Sequence, residues 1–180
     1  MVKKFNDFIL ESKKEDTKPS YGCMMLFVKL DGIDKLHSKI KKDDIYEEEN
    51  DDSYGIETDS HITIKYGFTD KVSDHDILDI CRDTKFSNIK FNKISLFENE
   101  KFDVLKFDVD NDVLTKLNKK VSKFPNEDKY PDYHAHSTIA YIKKGIGKKY
   151  VEMFKGANLT AIPSQLVYSN IDDTKLSLDI

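Results

Sequence analysis

The chain has 180 residues, of which 38% are hydrophobic and 34% are charged. This size and composition predict one compact, soluble domain with a single buried core. The formal net charge of -4, from 33 acidic and 29 basic residues, argues against a long polyanion such as duplex DNA as the main partner. No apolar run approaches the length of a membrane span.

The first 20 residues are predicted to lie outside the domain. Phe5, Phe8 and Ile9 recur at the spacing of an amphipathic helix, and residues 13–20 form a polar linker. Such a helix can dock on the domain or on a partner. We therefore assign residues 1–20 to an N-terminal appendage or leader and residues 21–180 to the domain.

The first half of the domain is predicted to contain a central strand, a short helix and a long loop. Residues 21–30 are a near-continuous apolar run, which is typical of a central strand, and residues 33–40 predict a helix. Residues 41–60 are rich in Asp, Glu, Asn and Ser without periodicity. We expect them to form a mobile acidic loop.

A pattern of the form His-x-Thr-Ile-x-Tyr follows this loop at His61 and occurs again at His136. Both copies are rich in β-branched and aromatic residues and are predicted strands. Alternation then places His61 with Thr63, and His136 with Thr138, on one face of each strand. One copy alone is typical of an ordinary strand histidine, whereas two copies indicate a functional pair that offers two imidazoles and two hydroxyls.

The remaining elements surround the second copy of the pattern. Ser73 and Asp76 predict the cap of a helix, two strands follow at residues 88–97 and 102–109, and helical spacing recurs at residues 113–121. Beyond the second copy come a basic turn with two glycines at residues 143–149, a helix at 150–155 and a hairpin of strands 165–169 and 176–180. This order predicts a mixed α/β (α+β) fold of two similar lobes, each contributing one motif strand to a shared cleft.

Acid-base chemistry on a phosphodiester is the function that these residue types favour. Two imidazoles can divide the tasks of base and acid near neutral pH, and the two Thr hydroxyls can donate to the phosphoryl oxygens. Lys143, in the basic turn, and Lys65, on the predicted face of His61, are candidate phosphate contacts. The alternative for both lysines is a solvated surface role.

A metal site is the main alternative for the histidines. His134 and His136 form an H-x-H pair, with Asp132 just before, that could ligate zinc or manganese. No further cluster has metal-ligand spacing, and neither Cys23 nor Cys81 has a C-x-x-C partner. We expect no metal and no other cofactor.

The paired motifs resemble those of the two-histidine phosphoesterase superfamily, whose fold is a pseudo-twofold pair of lobes with antiparallel sheets around a central cleft. Within it, four segments resemble the bacteriophage anti-CBASS phosphodiesterases: residues 21–25, 54–57, 97–106 and 131–136. That resemblance covers about residues 20–170. It implies metal-independent cleavage of the cyclic di- or trinucleotide signals of bacterial CBASS immunity, in the cytoplasm of an infected host, as a means of evading host defence.

The resemblance also implies substrate contacts beyond the two motifs. Tyr21 is implied as a substrate contact, Phe97 takes the place of a base-stacking Trp, and Gln165 takes the place of an acidic residue near the ligand. The chain has no Trp, so a changed base preference is expected. Phe97 is equally compatible with a core aromatic, and Gln165 with an exposed strand residue.

Two alternatives to this function remain. An RNA-end enzyme that opens 2',3'-cyclic phosphates has the broader activity of the superfamily, although its longer substrates predict a basic groove. The other alternative is a non-catalytic protein that binds nucleotides or is packaged in a capsid. Residues 1–11 resemble the leader of some T4-like phage proteins that are packaged into the virion, which implies capsid association. An amphipathic helix that caps the domain is the structural alternative for this segment.

Overall fold

The computed structural model describes residues 21–127, 132–172 and 174–180. Within these ranges, eight strands form two antiparallel sheets, here named sheet A and sheet B. Sheet A has the order β2-β1-β7-β3, with β8 also paired to β7, and sheet B has the order β4-β5-β6. The strands are β1 Gly22–Leu30, β2 His61–Phe68, β3 Ile89–Phe91, β4 Lys93–Glu98, β5 Phe102–Asp108, β6 His136–Lys143, β7 Leu159–Ser169 and β8 Lys175–Asp179.

Four α-helices accompany the sheets: α1 Ile33–His37, α2 Asp74–Arg82, α3 Asp112–Val121 and α4 Gly147–Met153. A 3₁₀-helix lies at Lys42–Asp44. The Ser73 hydroxyl oxygen accepts a hydrogen bond from the backbone N–H of Asp76, which confirms the predicted cap of α2. The helix predicted at residues 33–40 ends at His37, and the one predicted at 150–155 begins at Gly147. No described helix is long and apolar enough to cross a membrane.

The predicted two-lobed α/β fold with antiparallel sheets is confirmed, and each sheet contains one motif strand. One buried cluster joins the sheets, with the rings of Phe91 from sheet A and Phe107 from sheet B 5.2 Å apart. Ile62 and Ile139, which follow the motif histidines by one and three residues, are fully buried. Each such side chain contributes about 1.5–3 kcal/mol on burial.

The strand predicted at residues 88–97 is wrong in one respect, because the chain changes sheets within it. Residues 89–91 pair with β7 in sheet A, whereas residues 93–98 pair with β5 in sheet B. The change occurs at Asn92, which lies in neither strand. The hairpin prediction was also too short, since β7 begins at Leu159 and pairs with β1 as well as β8.

Both motif strands carry a β-bulge at the same motif position. The register skips Ile64 opposite β1 and Ile139 opposite β5. The bulge reverses the alternation of β2, so Lys65 pairs with the buried Met24, and its side chain is 5% exposed. The prediction that Lys65 shares the face of His61 is therefore wrong, and Tyr66 occupies that face instead.

Residues 41–60 form a loop as predicted, but the backbone of this loop is hydrogen-bonded along the outer edge of β6. The Tyr46 N–H donates to the Tyr141 carbonyl oxygen at 2.9 Å, and the Tyr141 N–H donates to the Gly55 carbonyl oxygen at 2.8 Å. Glu57 N–H donates to the Ile139 carbonyl oxygen at 3.0 Å. These bonds satisfy the edge of sheet B, which would otherwise expose unpaired backbone groups.

Gly67, at the end of the first motif strand, lies where the backbone of another segment approaches most closely. Its φ is 96°, and a Cβ at this position would lie 2.4 Å from the Glu127 carbonyl oxygen. We expect Gly67→Ala to lower the free energy of unfolding by about 2–4 kcal/mol, from left-handed strain and this overlap.

Urea denaturation followed by circular dichroism measures this loss. Gly156→Ala is the matched control, since Gly156 has a φ of 84° but nothing within 4 Å of the added Cβ. It should lose about 1 kcal/mol from strain alone. Equal losses in the two variants would show that the approach of Glu127 is unimportant.

Candidate active site

Each motif histidine makes the same type of hydrogen bond, from its ring to the backbone carbonyl oxygen two residues earlier. Nδ1 of His61 lies 2.8 Å from the Asp59 carbonyl oxygen, and Nδ1 of His136 lies 2.9 Å from the His134 carbonyl oxygen. A carbonyl oxygen can only accept, so Nδ1 carries the hydrogen in each ring. In the neutral ring this places the lone pair on Nε2, where it can take a proton from a substrate.

The motif strands bring the two histidines to one cleft. Strands β2 and β6 contact each other, and the charge of His61 influences the titration of His136. Thr63 and Thr138 lie two residues further along these strands and are half-buried. Among the described residues, neither Thr hydroxyl has a hydrogen-bond partner, so both can donate to a bound anion. The predicted His and Thr pairs are thus brought together.

The environment of His136 favours its neutral form. Burial lowers the pKa of the His136 imidazole, and the charges of Lys106 and His61 lower it further. The bond to the His134 carbonyl oxygen and the charge of Asp108 act in the opposite direction. The net effect is a lowered pKa, so His136 is neutral over a wider pH range than a free imidazole.

The cleft face of sheet A, which carries His61, is apolar beside the histidine. Met25 pairs with Thr63 across the strands, and Phe27 pairs with His61, with ring centroids 5.6 Å apart. Both belong to a small buried cluster completed by Cys23 and Val167. Nothing charged lies in this cluster.

The cleft face of sheet B, which carries His136, is charged at the equivalent positions. Lys106 pairs with Thr138, and Asp108 pairs with His136. The Lys106 side chain is 4% exposed, and its ammonium group donates to Ser95 Oγ at 2.8 Å and bonds the Asp108 carboxylate. Neither residue was predicted from the sequence. Their signal was alternation along β5, which puts Lys106 and Asp108 on the face opposite the buried Leu105 and Phe107.

A small cleft, open to solvent, lies directly beside His61. Met25, Phe27 and His61 of sheet A line one side, and Tyr141 of sheet B lies opposite. The segment from Asp52 to Glu57, with Asp59, forms its acidic rim. The aromatic side chains of this lining offer surfaces on which a base can stack, whereas the carboxylates would repel a phosphate placed against them.

Tyr21 and Phe97, the predicted aromatic contacts, lie on cleft faces of different sheets. The Phe97 ring is 40% exposed and meets the His136 ring edge-on, with centroids 4.9 Å apart. Tyr21 packs against Tyr66 at 5.8 Å, and its hydroxyl donates to the Glu127 carboxylate. That bond raises the pKa of the Tyr21 hydroxyl. The structure therefore places Phe97 at the histidines and Tyr21 further along the sheet A face.

Gln165 lies in the same row of sheet A as His61. It pairs with Phe27, which itself pairs with His61, and it is half-buried, not exposed. Its Nε2 donates to Asp179 Oδ1 at 3.2 Å. The structure thus places Gln165 two strands from His61, with its amide already bonded.

Lys143 and the basic turn are not brought to the histidines. Lys143 is at the opposite end of β6 from His136, roughly 20 Å along the strand at the usual rise per residue. The buried Asp103 carboxylate accepts from the N–H groups of Gly145 and Gly147 at 2.9 and 3.1 Å. These amides are therefore not available to a substrate phosphate, because a carboxylate of the protein already accepts from them.

The proposed metal ligands do not form a group. Among the described residues, no three His, Cys, Asp or Glu side chains lie together in an arrangement that could hold a metal ion. The H-x-H alternative therefore lacks the further ligands that a closed zinc site needs. The absence of a metal requirement itself remains a prediction.

No protein-family model matches the sequence, and no curated protein sequence matches it. Among solved structures, Usb1 of Kluyveromyces marxianus superposes with a TM-score of 0.56 and 9% identity, covering 91% of this chain and 99% of Usb1. A structure of the same protein with uridine monophosphate gives a TM-score of 0.53 and 8% identity, over 90% and 99% of the two chains. The chain therefore shares its fold with Usb1.

Proposed function

We propose that this protein is a phosphodiesterase that cleaves ribonucleotide phosphodiesters without a metal ion. The observation that carries the proposal is the symmetric pair of His and Thr side chains on β2 and β6, which face one cleft. Each imidazole is oriented by a hydrogen bond between its Nδ1 and the backbone carbonyl oxygen two residues earlier. Two oriented imidazoles and two hydroxyl donors meet the needs of phosphodiester cleavage: a base, an acid and stabilisation of the phosphoryl oxygens.

His136 is the general base in this mechanism and His61 the general acid. A base must be neutral before it can accept a proton, and the lowered pKa of His136 keeps it so. His61 then protonates the departing oxygen. The base of the leaving nucleoside would lie against the cleft beside His61, and the Phe97 ring beside His136 would stack on the base of the other nucleoside.

RNA ends are the substrate class that the comparisons favour. The Usb1 structure with uridine monophosphate supports a ribonucleotide as the ligand of this fold. In this reading the enzyme acts on the last phosphodiester of an RNA strand, so the negative net charge matters less than it would for a long duplex.

Cyclic oligonucleotides are the second candidate, favoured by the sequence segments that resemble anti-CBASS phosphodiesterases. A cyclic di- or trinucleotide is a small ligand, which agrees with a chain whose net charge of -4 argues against a long polyanion. In this reading the protein acts in the cytoplasm of an infected bacterium and removes a CBASS signal. Residues 1–20, which bear on capsid association, lie outside the described residues.

Incubation with both substrate classes in excess EDTA tests the proposal. The panel contains 3',3'-linked cyclic di- and trinucleotides, and RNA oligomers with 3'-hydroxyl or 2',3'-cyclic phosphate ends. We expect full turnover of one class with chelator present, because the imidazoles supply the proton transfers that a metal-bound water would otherwise supply.

Chromatography of the products decides between the two classes. Cleavage of cyclic substrates alone selects the CBASS reading, and cleavage of RNA ends alone selects the other. Loss of all activity in EDTA, with recovery on adding zinc or manganese, would contradict the metal-free mechanism.

A further inference from the structure

Lys106 is a buried cation in the middle of the cleft face of sheet B. Its ammonium group bonds Ser95 and Asp108 and lies 4.1 Å from the centroid of the Phe97 ring. The same ring contacts His136 edge-on. Burying a lysine costs free energy unless its donors are satisfied, and here a hydroxyl, a carboxylate and an aromatic face surround it.

The pseudo-twofold relation of the sheets makes Lys106 exceptional. The strand β1 bears the same register to β2 as β5 bears to β6, including the bulge at the motif Ile. Met25, opposite Thr63, is therefore the counterpart of Lys106, opposite Thr138. Phe27, opposite His61, is the counterpart of Asp108, opposite His136. The two motifs are alike in sequence, but they lie beside an apolar pair in sheet A and an ion pair in sheet B.

We propose that Lys106 is a positioning residue that makes the two histidines chemically different and assigns the role of base to His136. This inference rests on the proposed phosphodiesterase function. It goes beyond that function because it names the residue that determines which histidine acts as the base and which as the acid. The Lys106 cation disfavours a second positive charge on His136. The Phe97 ring contacts both the Lys106 ammonium and the His136 imidazole, so the position of the lysine affects the orientation of the imidazole.

Charged and polar groups from both sheets shift the pKa of His136. From sheet B these are Lys106, which lowers the His136 pKa, and Asp108, which raises it. His61 of sheet A lowers it, and the His134 carbonyl oxygen raises it. Lys93 of β4 acts on Asp108, 3.6 Å away. Removing the lysine should therefore raise the His136 pKa, and neutralising Asp108 should lower it.

The test compares Lys106→Met, which copies Met25 of the other sheet, with Asp108→Asn and Lys106→Arg. The pH dependence of kcat/KM is measured for each on the substrate that the wild-type protein cleaves. A base works in its neutral form, so the acidic limb should move to higher pH in Lys106→Met and to lower pH in Asp108→Asn. At the foot of the limb Lys106→Met should be slower by about threefold or more. Lys106→Arg should stay near the wild-type profile.

NMR titration of the histidine ring protons provides a readout that does not depend on catalysis. The His136 pKa should move in the same opposite directions in the two variants. Lys90→Met is the control for loss of one positive charge, because Lys90 lies on the edge strand β3 of sheet A and bonds Thr160. It should leave both readouts unchanged.

An unshifted His136 titration in Lys106→Met, or shifts of the same sign in both variants, would overturn the inference. If Lys106→Met does not fold, Asp108→Asn decides alone, since it keeps the lysine and predicts a fall in the His136 pKa. A wild-type protein that cleaves no substrate would instead contradict the proposed function. The NMR result would still report on Lys106, so the two failures are distinguishable.

Discussion

His61→Ala and His136→Ala should each slow the chemical step by about 10²-fold or more, while substrate binding is largely kept. Each variant removes the imidazole that carries out one of the two proton transfers. The His-x-Thr pattern places only His61 and His136 on the two motif strands, so the remaining histidine cannot perform both transfers. Single-turnover rates with excess enzyme measure the chemical step, and the dependence of rate on enzyme concentration gives the affinity.

Two sets of variants accompany these substitutions. Thr63→Val and Thr138→Val should cost less, because each removes one hydrogen-bond donor and leaves acid-base chemistry intact. His75→Ala is the matched control, since the His75 side chain is 79% exposed on α2. Near-normal rates in either motif His variant would show that the repeated pattern is structural.

A substrate with 2'-deoxyriboses should bind comparably yet be cleaved more slowly by on the order of 10³-fold or more. The adjacent 2'-hydroxyl of a ribonucleotide with a 3'-5' linkage is already held near the phosphorus, which gives it a large effective concentration as nucleophile. In the proposed mechanism His136 takes the proton from this hydroxyl and His61 gives one to the departing 5'-oxygen. The bond from the 2'-oxygen to phosphorus forms as the bond to the 5'-oxygen breaks.

The product of that step is a 2',3'-cyclic phosphate, which mass spectrometry should detect at early times with the ribose substrate. The deoxy substrate should compete for binding with similar affinity, so its resistance is chemical. Its rapid cleavage would mean that water attacks directly, and the roles of the two histidines would then have to be reassigned.

Local periodicity explains why the motif pairs could be predicted from the sequence. Alternation along a strand is decided by neighbours two residues apart, so His61 with Thr63, and His136 with Thr138, could be placed on one face without any tertiary information. The buried Ile62 and Ile139 agree with that prediction. The same local logic predicted the Ser73 cap, because its hydrogen bond spans only three residues.

Alternation failed where a bulge entered the strand. The bulge at Ile64 forms only when β2 is paired with β1, and pairing depends on residues nearly 40 positions away. Lys65 therefore moved to the face of Met24, although the sequence alone placed it beside His61. Likewise, residues 88–97 alternate as one strand, yet their two halves pair with different sheets because their partners come from β7 and β5.

Some polar groups form hydrogen bonds with partners far away in the sequence, and only the folded structure shows which partners these are. The amides of Gly145 and Gly147 form a plausible phosphate site in the sequence, but Asp103, more than 40 residues earlier, occupies them. Residues 41–60 look unstructured, but their backbone groups bond the edge of β6.

The sequence by itself determined the two His and Thr pairs and the mixed α/β class, because strand and helix periodicity are local properties of the chain. Only the tertiary structure decided how the two motifs differ. The ion pair of Lys106 and Asp108 lies beside His136, while Met25 and Phe27 lie beside His61, because pairing of separate strands brings these residues to the motifs. A charge acts on a titrating group through space, so the chemical difference between two motifs of the same pattern depends on their neighbours in the fold.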